Sequence, residues 1–192
     1  MKLDYEVGEI SLKQAGQIVH SVHYGNQLLN FHPCAVEYKF YGLLHNSEIV
    51  GATQYTRYNW NRHNKVKHDD LFGCHTEDCE GFWELSRLAV LPLEEHNITS
   101  WFLSKTMKMI NAKIILTVAE EEKEGTIYSA TNFDYYGIMY ERDYSAMDKP
   151  FHVFLRVYDK TLKPKWDKKR LDKSETVSYT HLRAHETRED RV

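Results

Sequence analysis

The sequence predicts an α/β domain of the α+β kind, with a mixed central sheet of six to seven strands and helices on both faces. Three observations predict it. Apolar periods of 2 and of 3.6 alternate along residues 1–160 in the order β-α-β-β-β-α-β-α-β-β. Residues 113–119 (KIILTVA) form a continuous apolar run, the pattern of a strand covered on both faces. The chain has 192 residues, 42% of them hydrophobic and 28% charged, enough for one domain to bury a core without disulfides.

Residues 3–7 read as the first strand. Ser11 is an N-cap candidate, because its hydroxyl can accept a free N–H of the first helical turn. Leu12, Ala15, Ile18, Val19 and Val22 keep helical spacing to about Tyr24, with Gly25 as a C-cap candidate. Residues 27–33 read as a loop. Residues 35–44 and 48–58 are strand-like runs around HNSE, a hairpin. The polar stretch 59–80 is a long loop, which in a compact domain is often functional. Residues 82–91 alternate as a strand and stop at Pro92, which cannot donate to a ladder. Asn97 or Thr99 caps the next helix, whose apolar stripe is read as Trp101, Phe102, Met109 and Ile110, with Lys105 as a basic edge. After the buried strand, residues 126–133 form a short helix, and 137–142 and 151–158 a closing hairpin.

Charge and composition exclude several classes. Twenty-five Lys and Arg against 28 Asp and Glu give a net charge of −3, which excludes a globally basic nucleic-acid coat but leaves local basic patches open. No stretch approaches the roughly 18 apolar residues of a membrane span, and residues 1–10 lack the apolar core of a signal peptide. Cys34, Cys74 and Cys79 are an odd set that suggests no disulfide framework and points to a cytosolic compartment. Residues 1–160 read as the catalytic domain and 161–175 as a basic extension. Residues 176–192 carry no apolar period and resemble translated sequencing-adapter sequence, so they are expected to lie outside the fold.

Four stretches carry a more specific likeness: SVHYGN with His23 and Tyr24, YGLLHNSEIVGATQY (41–55), ELSRLAVLPLEEHNITSWFLSK (84–105) and TVAEEEKEGTIYSATNFDYYG (117–137). In this order they resemble the phage Mom-like DNA modification proteins, which have a GNAT-like acyltransferase core. That family converts adenine in DNA to N6-methylcarbamoyladenine and so shields phage DNA from host restriction. The resemblance implies a GNAT-like fold whose fourth and fifth strands splay, a double-stranded DNA substrate whose adenine is flipped out, and the cytoplasm of an infected cell. The family's usual Ser-Tyr-Ala-Asp after the buried strand is here Thr117, Val118, Ala119 and Glu120, and the following turn, EEEKEG, lacks the family's Gly-His.

The residues suggest roles beside this likeness. In many GNAT enzymes a helical Tyr four residues before a Gly-Phe pair protonates the leaving thiolate of coenzyme A, and Tyr128 stands at that spacing before Asn132 and Phe133. Glu84 occupies the strand position where such enzymes hold a carboxylate base. Strand alternation puts Glu84, Ser86 and Leu88 on one face and Leu85, Arg87 and Ala89 on the other, so Glu84 and Arg87 meet in one pocket only if the strand bulges. Arg87 is a candidate for phosphate binding or a structural pair. Asn97 and Ser100, at a helix N-terminus, are candidates for a cofactor's phosphates. That turn holds no Gly and carries Glu94 and Glu95, which argues against conventional coenzyme A binding, although acetyl-CoA or a related acyl donor is the expected cofactor class. The resemblance also raises His23, Tyr24 and Glu120 as a ligand set suited to iron. Cys74, His75 and Cys79 do not follow a standard zinc spacing.

Two basic and aromatic stretches are candidates for DNA contact. Lys160, Lys163, Lys165, Lys168, Lys169, Arg170 and Lys173 surround Trp166 against only Asp167 and Asp172, and Arg57, Arg62, Lys65 and Lys67 lie near Tyr55, Tyr58 and Trp60. The leading reading is a phage enzyme that transfers a small acyl- or carbamoyl-type group to the N6 amine of adenine in DNA. A conventional acetyltransferase acting on a small amine or a protein, and an inactive DNA-binding relative, remain the alternatives. The oligomeric state is not legible.

Overall fold

The structure, a computed structural model, describes residues 4–22, 29, 31, 35–58, 81–93, 97–120, 125–142, 148–164 and 167–169. Among them the elements follow the predicted order. The strands are β1 (Tyr5–Glu9), β2 (Ala35–His45), β3 (Glu48–Tyr58), β4 (Phe82–Val90), β5 (Ile114–Glu120), β6 (Asp134–Arg142) and β7 (Asp148–Val157). The helices are α1 (Leu12–Val22), α2 (Ile98–Met109) and α3 (Thr126–Ala130). The first strand sits two residues later than its apolar pattern predicts.

Local chemistry sets the boundaries. Ser11 caps α1 as expected, and the cap is reciprocal. The Gln14 N–H donates to Ser11 Oγ at 3.4 Å, and the Ser11 N–H donates to Gln14 Oε1 at 2.9 Å. Asn46 and Ser47 both take positive φ, 51° and 68°. Two consecutive left-handed residues match the twist of a tight hairpin and join β2 to β3.

The sheet order is β1-β2-β3-β4-β5-β7-β6. Every neighbouring pair is antiparallel except β4 with β5. Parallel neighbours need a crossover, and α2 supplies it. On one face α1 lays Ala15 and Val19 against Ala52 and Ala89, small residues that let helix and sheet approach closely. On the other face α2 packs Ile98 and Phe102 against Tyr5, Leu43 and Val50, and Leu103, Met107 and Ile110 against Tyr41, Tyr55, Trp83, Leu85 and Ile115. The apolar stripe of α2 is therefore 98, 102, 103, 106, 107 and 110. The row Trp101, Lys105, Met109 is its outer neighbour, with Met109 42% exposed and Lys105 over the Trp101 ring at 5.5 Å.

The run 113–119 is a central strand as predicted, with Ile114, Ile115, Leu116, Thr117 and Ala119 buried. Beyond β7, Leu162 packs on the cluster of Phe82, Ile114, Leu116, Tyr136, Val153 and Leu155. The Lys169 N–H then donates to the Tyr135 carbonyl at 2.8 Å, bringing the chain to the outer edge of the sheet at β6.

Candidate active site at the fork between β4 and β5

Three residue pairs join the central strands: Phe82 with Ile114, Trp83 with Ile115 and Glu84 with Leu116. β4 then runs on to Val90 and β5 to Glu120 without pairing, each held by its other neighbour, β3 or β7. The sheet forks at this point. A side chain takes over where the ladder ends, because the fully buried Thr117 hydroxyl donates to the Leu85 carbonyl at 3.1 Å.

Beside the fork β4 bulges. Gln54 pairs with Arg87 and Tyr55 with Leu85, so one step on β3 spans two on β4 and Ser86 is the extra residue. Strict alternation separates Glu84 from Arg87; the bulge resets the phase and returns them to one face. That face is the one α1 covers, because Ala52 and Ala89 lie on it two residues further along. Ser86 Oγ donates to Thr56 Oγ1 at 2.8 Å and lies 3.4 Å from Glu84 Oε1, while Gln54 Nε2 donates to Thr56 Oγ1 at 3.3 Å. Arg87 Nη1 donates to the Ser86 carbonyl at 2.7 Å, so the guanidinium secures the bulge itself.

Tyr128 approaches from the opposite face. Its position follows from how α3 ends. The Phe133 N–H reaches back to the Tyr128 carbonyl at 3.0 Å and the Asn132 N–H to the Ser129 carbonyl at 3.2 Å. Asn132 takes φ 63°, the left-handed conformation that closes this motif and that Asn tolerates better than most residues. The ring of Phe133 then meets that of Tyr128 edge-on at 5.7 Å, and Phe154 lies 5.2 Å from Tyr128. The Tyr-to-Phe spacing is thus a helix-terminating device that locks the phenol. Gly125, which starts α3 at φ 57°, has no room for a Cβ: one would come within about 2.4 Å of Phe154, the ring that supports Tyr128.

The Thr117 side chain lies beside the Tyr128 phenol and favours its ionised form. Burial holds this phenol above its ordinary value, and Thr117 opposes the shift because its hydroxyl can turn to donate to a phenolate. The acid candidate therefore stands beside the residue that closes the fork, while the Glu84, Ser86 and Arg87 group lies on the other side of the sheet.

The remaining candidates are placed as follows. Asn97 stands at the N-cap of α2 with φ 67°, and its side chain caps nothing; Ser100 Oγ donates to the Asn97 carbonyl at 2.9 Å. Arg57 is bound to Glu37 (Nη2 2.8 Å and Nε 3.0 Å to Oε2) and lies 5.9 Å from the Trp83 ring. Tyr55, expected among aromatics near DNA, is instead fully buried and hydrogen-bonded to Thr106 Oγ1 at 2.8 Å. Lys168 Nζ pairs with Asp134 Oδ2 at 2.7 Å, and Lys169 lies beside Gly137. His23, Tyr24, Lys65, Lys67, Lys165, Trp166 and Arg170 lie outside the described residues, as do Cys74, His75 and Cys79. Glu120 ends β5, and its side chain also lies outside them. Among the described residues no three His, Cys, Asp or Glu converge as metal ligands, so iron gains no support here.

An acyl-CoA fits this frame. Past Glu84, the edge of β4 turned toward β5 pairs with no strand among the described residues, an edge able to bond the amides of an extended pantetheine arm. The first-turn N–H groups of α2, which the Asn97 side chain does not cap, point positive dipole ends outward, a setting that favours phosphate. Sequence reading missed Thr117, Thr56 and the anchoring role of Ser86. A lone hydroxyl inside KIILTVA was the available signal for Thr117.

The fold is shared with solved acetyltransferases at low identity. Arabidopsis thaliana NAA60 in complex with acetyl-CoA is 9% identical with a TM-score of 0.57, covering 80% of this chain and 99% of that one. A Bacillus subtilis acetyltransferase in complex with CoA is 10% identical with a TM-score of 0.51, covering 81% and 99%. An acetyltransferase of the GNAT family from Bacillus cereus is 16% identical with a TM-score of 0.50, covering 80% and 96%. No curated protein sequence matches the chain. The family model of the Mom protein family matches residues 4–190, and with that match and a forked GNAT sheet the chain belongs to the Mom protein family.

Proposed function

We infer that this protein transfers a small acyl- or carbamoyl-type group from an acyl-CoA-class donor to the N6 amine of adenine in double-stranded DNA. Its place is the cytoplasm of an infected cell, where the modified DNA resists restriction. The observation that carries the transfer chemistry is the placement of a carboxylate and a phenol on opposite faces of one gap in the sheet. Membership of the Mom family supports the DNA substrate. Among the described residues no helix is long and apolar enough to cross a membrane.

When bound, an acyl-CoA supplies a thioester carbonyl at the fork. Glu84, supported by Ser86 and Thr56, faces the side from which an amine nitrogen arrives and is placed to take its proton. The exocyclic amine of adenine is conjugated and weakly nucleophilic, so a base acting as the new C–N bond forms is required. Tyr128, on the far side, is placed to give its proton to the sulfur as the C–S bond breaks. Burial keeps that phenol protonated at neutral pH, the state a general acid needs. One N–H proton leaves, one S–H forms, and no oxidant or reductant enters.

The test is expression in a bacterial host followed by mass spectrometry of digested nucleosides. A heavier N6-substituted deoxyadenosine is expected, and Tyr128→Phe, which keeps the ring and loses the proton, is expected to abolish it in folded protein. Absence of any modified deoxyadenosine from several hosts, with transfer to small amines in vitro, would replace this reading with conventional N-acetylation. The basic stretches then bear on affinity. Lys165, Lys168, Lys169 and Arg170 were counted alike from sequence, but Lys168 is paired with Asp134, which lessens its contribution to DNA affinity.

A further inference from the structure

The acceptor side of the fork carries aromatic side chains that the transfer chemistry does not use. Tyr38 on β2 stands directly across from Thr56 on β3, and Thr56 directly across from Glu84 on β4. Residues paired in this way share a face, so Tyr38 and Glu84 lie on one surface, two strand spacings or about 10 Å apart. Phe31 meets Tyr38 edge-on, with centroids 5.2 Å apart at 73°. Phe40 lies near-parallel to Tyr38 at 6.3 Å and 13°, and packs into the α1 cluster that anchors this aromatic group. Phe31 is 53% exposed although it is a large apolar ring.

The mixture of groups selects among acceptors. An alkylamine attacks as the neutral base, so the cation–π attraction of its ammonium form for these rings is lost before the new bond forms. A planar heteroaromatic amine uses both parts: its π face stacks on the rings while its exocyclic N–H points at the carboxylate. We propose that Tyr38 and Phe31 form a stacking corner for a flipped purine base whose exocyclic amine is directed at Glu84. This rests on the DNA-adenine reading above and adds the residues that hold the base. It also moves the base-holding role away from Tyr55, which is committed to the core.

Photo-crosslinking with a duplex carrying 8-azidoadenine, followed by peptide mapping, tests the placement. Steady-state modification of an unlabelled duplex by Tyr38→Ala, Tyr38→Phe, Tyr38→Trp and Phe31→Ala tests its weight. The expected result is a crosslink on Tyr38 or Phe31. Tyr38→Ala should lose about 5- to 150-fold in kcat/KM for DNA, the range of one lost aromatic stack, and Tyr38→Phe and Tyr38→Trp should retain activity. Phe31→Ala, at an exposed site, tests the corner without endangering the fold. A wild-type protein that modifies DNA but crosslinks elsewhere, or a folded Tyr38→Ala as active as wild type, overturns the stacking corner and leaves the DNA reading standing. A wild-type protein that modifies no duplex yet acylates alkylamines overturns both.

Discussion

Thr117→Val tests the fork most directly. Valine keeps the shape of the side chain and removes only the fully buried hydroxyl, which donates to Leu85 O at 3.1 Å and stands beside the Tyr128 phenol. One hydrogen bond of about 1 kcal/mol is lost, and leaving a buried carbonyl short of its partner adds about 1 kcal/mol or more. The extra methyl returns about 0.8 kcal/mol. The net expectation is a loss of about 1 kcal/mol, read by urea denaturation, or about 2–4 °C in melting temperature for a domain of this size. The second readout is spectroscopic. Thr117 pulls the Tyr128 phenol down against burial, so the valine variant should titrate this phenol at higher pH than wild type, and Thr117→Ser should restore it. Burial also raises the phenols of Tyr55 on β3 and Tyr135 on β6, so the signal is taken as the difference from Tyr128→Phe. A valine variant with wild-type stability and an unchanged tyrosine titration would refute the linkage between fork and acid.

Four further outcomes follow from the structure. Thr106 spends its own proton on the Leu103 carbonyl at 3.0 Å, so Tyr55 donates to it; Tyr55→Phe should cost only about 1 kcal/mol at neutral pH. Burial raises the Tyr55 and Tyr128 phenols, so the folded chain keeps protons that the unfolded chain releases near pH 10. Stability should therefore fall as pH rises above about 10, by up to about 1.4 kcal/mol per pH unit for each raised phenol; burial also raises Tyr41, Tyr135, Tyr136 and Tyr158, so Tyr55→Phe should lower the slope by one phenol's share in alkaline urea titrations. Asn132→Val places a β-branched residue at φ 63° and should cost about 1–2 kcal/mol in the same assay, whereas Asn132→Gly should be nearly neutral. Truncation after Lys173 should leave the melting temperature unchanged, whereas truncation before Thr161 removes Leu162 from its cluster and should lower it by several degrees.

Much of this architecture is legible in the chain because single elements obey local rules. Residues 114–119 form a buried central strand because their one polar side chain, Thr117, is satisfied inside by the Leu85 carbonyl. HNSE turns because Asn46 and Ser47 accept positive φ. Tyr128 and Phe133 were legible as a spacing, and the structure gives that spacing its physical cause in the terminating turn of α3. The stripe of α2 was misphased because that helix is apolar on more than one row, so Trp101 and Met109 compete with Leu103 and Met107 in any count of hydrophobicity. Arg57 looked available because its partner Glu37 is 20 residues away in sequence and only the hairpin register brings them together. The partner of Lys168 is hidden from sequence in the same way, since Asp134 lies on β6. The bulge leaves only a faint compositional mark. In ELSRLAV the alternation slips at Ser86 and Arg87, two polar residues in a row, and the pairing with β3 shows that Ser86 is the one outside the count.

The bulge also makes a prediction that separates two ideas easily confused, that Glu84 and Arg87 must share a face and that the strand must bend. Deleting Ser86 leaves Glu84 across from Thr56, Leu85 from Tyr55 and Arg87 from Gln54, now in uninterrupted alternation. The two charged residues stay on one face and the register with β3 is preserved, so the protein is expected to fold with little loss of stability. A bulge, however, bends its strand and sharpens its twist. Without it, β4 is expected to continue alongside β5, where Leu85 can trade its Thr117 bond for a backbone partner, and the fork closes. A closed sheet separates the carboxylate on one face from the phenol on the other, and neither alone completes the transfer. The deletion should therefore be folded and inactive, while Ser86→Ala, which keeps the bulge and loses only the hydroxyl, should retain part of the activity. Circular dichroism and urea denaturation establish folding, and nucleoside mass spectrometry reads the product. If the deletion remains as active as Ser86→Ala, shared-face placement is sufficient and the opening in the sheet is not what joins base to acid.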